Sequence, residues 1–570
     1  MSIGRLIGDR LCWRTLLGTL ALLCALELHA AAQPERIAIA TAHPAATVAG
    51  QETLALGGNA FDAAVAISAA LAVVEPYGSG LGGGGFFLLR EAGEPATYRF
   101  IDARERAPLA AHTDLYKVDG RVQKQLSLDG ALAAAIPGLP AALVELAERF
   151  GRLPLRDSLA PAIRLARSGV SIDRIYRERA GWRIEAMRND AETARLFLAN
   201  GEIPEEFALL RQPELAATLE QLGSKGHQGF YAGAVAEKLV SAVQAAGGIW
   251  SQKDLTDYRV VERQPLRVRL SGGRELISAP APSAGGIAIA QSLLMLQQLP
   301  WQKADSVQRS HLIVETLRRA YRDRGLLGDP DFVSNPTRQM LAPDYLKQLA
   351  SSIDPRRATP SDSLAPSKAW QEGDHTTHFT VLDTEGNAVA ATLSVNLPFG
   401  AAFTVAGTGV LLNNEMDDFA ADVQGANAYG LSGSQANSIA AGKRPLSSMS
   451  PSFIESREDF ASFGTPGGSR IPSMVLLAML EYLEKQPIER WPSVDRYHHQ
   501  FRPDLIEHEP NTFNAAEISA LEALGHQLKS TGRQYGNQQV LLWHKQSGKV
   551  EAASDPRGLG TALVTPVKPL

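Results

Sequence analysis

Cysteine is almost missing from this chain: 570 residues carry two, Cys12 and Cys24. Both lie in the first 32 residues, so a chain beginning at Gln33 has no disulfide, no thiol nucleophile and no thiolate metal site. Membrane-length apolar runs are missing too. Thr15–Leu26 spans 12 residues, well short of the roughly 20 that a bilayer crossing requires. No charge of one sign dominates: 56 Lys and Arg face 61 Asp and Glu, a net charge of −5. No basic stripe with interleaved aromatics occurs, which argues against a nucleic-acid partner. Internal repeats and low-complexity tracts are also absent. The histidines show no H-E-x-x-H spacing: His375 and His378 are three apart, and His498 and His499 are adjacent. No calcium-loop pattern surrounds Asp417-Asp418. We expect no metal and no cofactor.

The N-terminus has the three parts of a secretory signal. Arg5, Arg10 and Arg14 form a basic start, the 12-residue apolar run follows, and His29-Ala30-Ala31-Ala32 places small residues at a cleavage point. Leu23 is too large to precede a lipid-attachment cysteine at Cys24. The expectation is an exported, periplasmic or secreted protein that begins near Gln33. A chain without thiols suits an oxidising compartment, since nothing there can mispair.

Residues 36–42 alternate like a strand. Asn59 suits an N-cap for the Ala-rich run from Ala60 to Leu71, which is apolar nearly all round and is therefore expected to be buried. Gly78, Gly80 and Gly83 fit the spacing G-x-G-x-x-G, but here a helix precedes the glycines and Phe86-Phe87-Leu88-Leu89 reads as a strand. That order is the reverse of a dinucleotide site, so close backbone packing is the expected role. Helices are predicted near 139–150, 213–223, 234–246, 286–298 and 306–324. Residues 354–374 are polar and contain Pro355 and Pro360, which predicts an exposed, mobile loop.

After residue 376 the pattern turns to strands. Thr377–Asp383 and Asn387–Ser394 flank Thr384-Glu385-Gly386, a hairpin loop with glycine where positive φ is required. Pairing Asp383 with Asn387 places Ser394 directly opposite Thr376, with Cβ atoms about 4.5–5.5 Å apart on one face. A slip of one residue would break that match. Two hydroxyls would thus meet behind the polar segment. A threonine at a new chain terminus carries its own base, the α-amine, whose ordinary pKa is about 7.7–8.0. Taken singly, the other candidates have plain alternatives. Asp417-Asp418 suits a solvated turn, Ser447-Ser448 a helix cap, Gly467-Gly468 a tight turn and Arg104 a surface ion pair.

Taken in order, these segments resemble the γ-glutamyltransferase family, whose members are N-terminal-nucleophile hydrolases. Thr376-Thr377-His378-Phe379 resembles the start of the family's small subunit. The likeness continues through Asn413-Asn414-Glu415-Met416-Asp417-Asp418, Lys443–Pro451 and Thr465–Arg470, and upstream through Gly57–Ala64 and Gly82–Phe86. It covers nearly all of the chain after the signal.

The resemblance implies an α+β fold, an αββα sandwich of two stacked antiparallel sheets between helical layers. It implies cleavage between His375 and Thr376 into a large chain, 33–375, and a small chain, 376–570, which stay together as a heterodimer. Thr376 resembles the nucleophile, with Ser394 as its orienting hydroxyl. Gly467 and Gly468 resemble the oxyanion hole. Arg104, Ser447 and Ser448 resemble the groups that hold the α-carboxylate of a γ-glutamyl donor. Asn396, Glu415 and Asp418 resemble those that hold its α-amino group, and Tyr429 resembles a lid tyrosine. The implied reaction moves the γ-glutamyl group of glutathione or a related compound to water, an amino acid or a dipeptide. The alternatives are a glutaryl-type cephalosporin acylase of the same fold and a catalytically inert exported binding protein. Two departures stand out. Ser394 replaces the expected threonine, and Leu393–Phe399 differs from the commoner sequence.

Overall fold

A computed structural model of the chain describes residues 31–364, 376–420 and 434–566. The expected signal up to residue 30, residues 365–374, His375 and Tyr429 therefore lie outside the described residues.

Two antiparallel sheets form the centre. In chain order their strands are β1 (Ile37–Thr41), β2 (Gly84–Glu91), β3 (Thr97–Ala103), β4 (Val261–Arg263), β5 (Leu266–Arg269), β6 (Glu275–Ser278), β7 (Thr376–Leu382), β8 (Ala388–Ser394), β9 (Ser452–Glu455), β10 (Asp459–Gly464), β11 (Gln539–His544), β12 (Val550–Ser554) and β13 (Thr561–Thr565). The first sheet runs β13-β1-β7-β8-β2-β3-β4, the second β12-β11-β10-β9-β6-β5. In the first sheet the hairpin β7–β8 is flanked by β1 and β2, so strands from before and after residue 376 complete one ladder.

The period of two sorts each strand between two cores. Phe87, Leu89, Phe379, Val381, Val389 and Ala391 face the first core, which is completed by helices α1 (Pro44–Ala55), α2 (Ala60–Val74), α3 (Leu139–Arg149) and α4 (Leu155–Ser168). Phe86, Leu88, Leu382, Ala388 and Ala390 face the second, shared with the other sheet. That core is closed by α5 (Gly285–Leu296), α6 (Ser306–Arg324) and α7 (Ile471–Leu483). The result is the expected helix–sheet–sheet–helix stack. All 15 residues of α2 are buried, and Asn59 caps it with a reciprocal box to Asp62, as the sequence pattern anticipates.

The expected exposed loop begins as anticipated, residues 354–357 being exposed, but is corrected at Ala358, Thr359 and Ser361. Ser361 is 1% exposed; its N–H donates to Asp504 at 2.7 Å, and Arg318 donates to its hydroxyl at 2.6 Å. The Thr359 N–H donates to Glu315 and the Ala358 N–H to the Leu524 carbonyl. Polar composition suggested solvent, but a buried ion network supplies the partners instead.

Candidate active site

The β7–β8 register places Thr376 opposite Ser394 and Leu382 opposite Ala388. Beyond the last pair, the Asp383 N–H donates to the Asn387 carbonyl at 3.0 Å, and Gly386 takes a φ of +90°. The hairpin arithmetic holds because the three-residue turn fixes the register. Ser394 Oγ accepts from the Asn396 N–H at 2.8 Å.

Facing strands locate the rest. The Thr380 hydroxyl donates to Ser462 Oγ at 2.7 Å, and a Cβ at Gly464 would lie 2.1 Å from the His378 ring. The alternation that points His378 and Thr380 at β10 points Thr376 the same way. One more step along β10 reaches Thr465-Pro466 and the Gly467-Gly468 turn. Thr376 and Pro466 line one cavity of about 260 Å³. Gly467 has φ +136° and Gly468 φ +54°. These values lie in the region that favours glycine, so both positions suit it. The turn leads straight into α7, and the positive end of that helix favours developing negative charge.

The glycine run serves packing, as its helix-to-strand context suggested. A Cβ at Gly82 would meet the Leu411 carbonyl at 2.0 Å, one at Gly83 the Ser394 carbonyl at 2.1 Å, and one at Gly84 the Ala103 carbonyl at 2.4 Å. These contacts bring β8, β2 and the Arg104 segment together.

A second group is buried around Arg104, itself 1% exposed. Arg104 Nη1 lies 2.7 Å from Glu415 and 3.6 Å from Glu105, and its Nη2 pairs with Asp418. Arg104 Nε donates to the Pro445 carbonyl at 3.3 Å, which brings Ser447 and Ser448 close in sequence. Arg324, which sequence reasoning passed over, donates to Ser448 Oγ at 3.0 Å. Asn396 Nδ2 donates to the Asn414 carbonyl beside Glu415, and Asn437 Nδ2 to the Asp418 carbonyl. Of the expected substrate-binding residues, Arg104, Glu415 and Asp418 therefore meet directly, while Asn396, Ser447 and Ser448 stand on adjoining segments, with one difference. Arg104 is held by Glu415 and Asp418 rather than standing apart from them. Burial, with Glu415 beside it, pushes the Glu105 carboxyl well above the usual range. Three carboxyl groups, Glu105, Glu415 and Asp418, thus surround one guanidinium, a setting that suits a buried ammonium.

The cavity beside Thr376 adds groups that no motif marked. They are Glu75, Tyr77, Arg174, Arg179 and Arg533. They come from three separate segments, which is why sequence spacing does not reveal them.

Among the described residues, His311, Glu315 and His526 offer ligand-type atoms within 4.8 Å of one another. Arg318 and Arg319 already pair with Glu315, and two guanidinium groups at its carboxylate oppose a bound cation.

The γ-glutamyltranspeptidase family model matches residues 46–565. The glutathione hydrolase proenzyme of Pseudomonas aeruginosa is 40% identical over 531 residues, covering 91% of this chain and 92% of that protein. That of Escherichia coli is 36% identical over 535 residues, covering 91% and 90%. The crystal structure of Helicobacter pylori γ-glutamyltranspeptidase superposes with a TM-score of 0.55 at 35% identity, over 57% of this chain and 93% of that one. The cephalosporin acylase of Bacillus halodurans superposes with a TM-score of 0.81 over 94% and 96%, a likeness of fold alone at 23% identity. With matches running nearly end to end over a sandwich that pairs Thr376 with Ser394, the chain belongs to the γ-glutamyltranspeptidase family.

Proposed function

We propose that this chain is a self-processing γ-glutamyltransferase and glutathione hydrolase, with Thr376 as the nucleophile of both maturation and turnover. One observation carries the proposal: Thr376 faces Ser394 across β7–β8 at the wall of a cavity that Pro466, the residue before Gly467, also lines.

In maturation the Thr376 hydroxyl attacks the carbonyl carbon of His375. The C–N bond breaks as the acyl group moves to oxygen, the nitrogen takes the hydroxyl proton to become a free α-amine, and water hydrolyses the ester. Ser394 orients the hydroxyl in this step and in the next. In turnover the α-amine takes the Thr376 proton as oxygen attacks the γ-carbonyl of the donor. The Gly467 and Gly468 N–H groups stabilise the tetrahedral oxyanion. The leaving amine takes the proton, a γ-glutamyl ester remains on Thr376, and water or an acceptor amine releases it. Arg104, Ser447, Ser448 and Arg324 take the donor's α-carboxylate. Asn396, Glu415 and Asp418 take its ammonium. Tyr429 serves as the lid.

We assign residues 1–32 to an export signal, and the two chains to residues 33–375 and 376–570. The shared first sheet supports their staying together, because β7–β8 lies between β1 and β2. Relatives named as proenzymes support processing. Among the described residues no helix is long and apolar enough to cross a membrane. A glutaryl side chain has no amino group to balance Glu415 and Asp418, so a γ-glutamyl donor fits this pocket better.

The test is release of a chromogenic anilide from γ-glutamyl and glutaryl substrates, with and without a dipeptide acceptor. The expected result is γ-glutamyl turnover that rises with the acceptor. Turnover of the glutaryl substrate alone would overturn the substrate assignment.

A further inference from the structure

Glu75 belongs to none of the expected site motifs, yet it is the carboxyl group tied most directly to the strand that carries Thr376. It follows α2, is 6% exposed, and shares the cavity with Thr376. The Thr377 hydroxyl donates to its Oε2 at 2.7 Å, and the Tyr77 hydroxyl to its Oε1 at 3.2 Å. Its own carbonyl accepts from the Gly78 N–H at 2.8 Å, and a Cβ on Gly78 would lie 3.6 Å from the Thr376 carbonyl. The Glu75–Gly78 turn therefore packs on the first residue of β7 while the Glu75 side chain grips the second.

We propose that Glu75 is a positioning residue for the processed nucleophile, holding the end of β7 through Thr377 and setting the charge that the α-amine of Thr376 meets in their shared cavity. The proposal rests on the assignment of Thr376 as an N-terminal nucleophile. Cleavage would create an amine on the residue whose carbonyl lies against the Glu75–Gly78 turn. A carboxylate there favours the ammonium form, whereas catalysis needs the free amine.

The charged surroundings make this tunable. Burial pushes the Glu75 carboxyl up to about 7, against the lowering effect of its bonds from Thr377 and Tyr77. Asp173, the cap of the helix Arg174–Asn189, adds to the rise, and Arg179 of that helix opposes it. His43 approaches Asp173 at 3.9 Å. The cavity wall adds Arg174 and Glu178 from the helix, and Arg533, Tyr535 and Arg557 from the opposite side.

The experiment is the pH dependence of kcat/KM for anilide hydrolysis by processed enzyme, with processing checked by intact mass. In Glu75→Gln the acidic limb should move to lower pH by about half a unit or more, since a neighbouring negative charge has gone. Thr377→Val loses the grip and with it a bond that favours the carboxylate, so kcat should fall and the limb should move in the same direction as in Glu75→Gln, by less. Arg179→Gln removes the opposing cation and should move the limb upward. An unmoved limb in Glu75→Gln overturns the proposal. If Glu75→Gln fails to process, an unmoved limb in Arg179→Gln overturns it instead. Wild type that stays a single chain contradicts the assignment of Thr376, whereas cut, active wild type with unmoved variants contradicts only the role of Glu75.

Discussion

The Thr380 hydroxyl reaches Ser462 at 2.7 Å, and two residues nearer the site the His378 ring stands over Gly464. These contacts lock the two sheets in the register that brings Thr376 toward the Gly467-Gly468 turn. Gly464→Ala would put a methyl 2.1 Å from the ring. Overpacking of this kind costs about 1–3 kcal/mol. A lower melting temperature and slower chain cleavage are expected together, read by thermal melts and electrophoresis. Wild-type stability in that variant would show that the sheets are not locked here.

Arg104 separates recognition from folding. It pairs with Glu415 at 2.7 Å and with Asp418, all three being buried. Arg104→Ala leaves those carboxylates uncompensated, a loss of about 3–5 kcal/mol in comparable buried pairs, so it should harm folding as well as binding. Arg104→Lys keeps the charge and loses the planar fork. It should still be cut, with KM for γ-glutamyl donors raised about ten- to a hundredfold. Steady-state kinetics decide this, and an unchanged KM removes Arg104 from the donor site.

Acid should destabilise the fold through its buried histidines. Burial holds His378 and His526 at about 3, and His498 and His499 at about 4. Their ordinary value is 6.5. The folded value is the lower one, so the contribution to stability is complete above the unfolded value and is lost as pH falls from it. Each such histidine costs about 1.4 kcal/mol per pH unit in that window. Burial alone would raise Glu315, but Arg318 and Arg319 hold it at about 2, so its share is lost only below about 4.3. Melting temperature should fall steeply from pH 6.5 to 4.5, and less steeply in His526→Gln. A flat profile across that range contradicts neutral burial of these rings.

The fold was legible wherever one local rule decided the outcome. Asn59 and Asp62 announce the start of α2, and Gly386 fixes the hairpin that sets Thr376 against Ser394. The family resemblance put forward Arg104, Glu415, Asp418 and Gly467 as candidates, and the first three meet in the fold. What stayed hidden depends on contacts between distant segments. Arg324 reaches Ser448 across 124 positions, and Glu75 reaches Thr377 across 302. Ser361 looked solvated because its partners Arg318 and Asp504 lie far off in sequence. The pairing of Arg104 with the carboxylates assigned to the ammonium is likewise a property of the folded cluster.

The proposal gives the two hydroxyls different roles. Thr376→Ser keeps a nucleophile on a less constrained side chain, so it should cut itself slowly and retain some turnover. Ser394→Ala keeps the nucleophile without its partner, so cleavage and transfer should both slow. Parallel time courses of band conversion and anilide release should therefore fall in step. Slowed transfer with unchanged cleavage in Ser394→Ala would separate the two reactions.

The central claim is that one hydroxyl performs both acyl transfers, and the intact mass of purified wild type beside Thr376→Ala tests it most directly. Wild type should give two chains, beginning near Gln33 and at Thr376, while Thr376→Ala should give one uncut, inactive chain. A Thr376→Ala protein cut between residues 375 and 376 and still active would contradict the account.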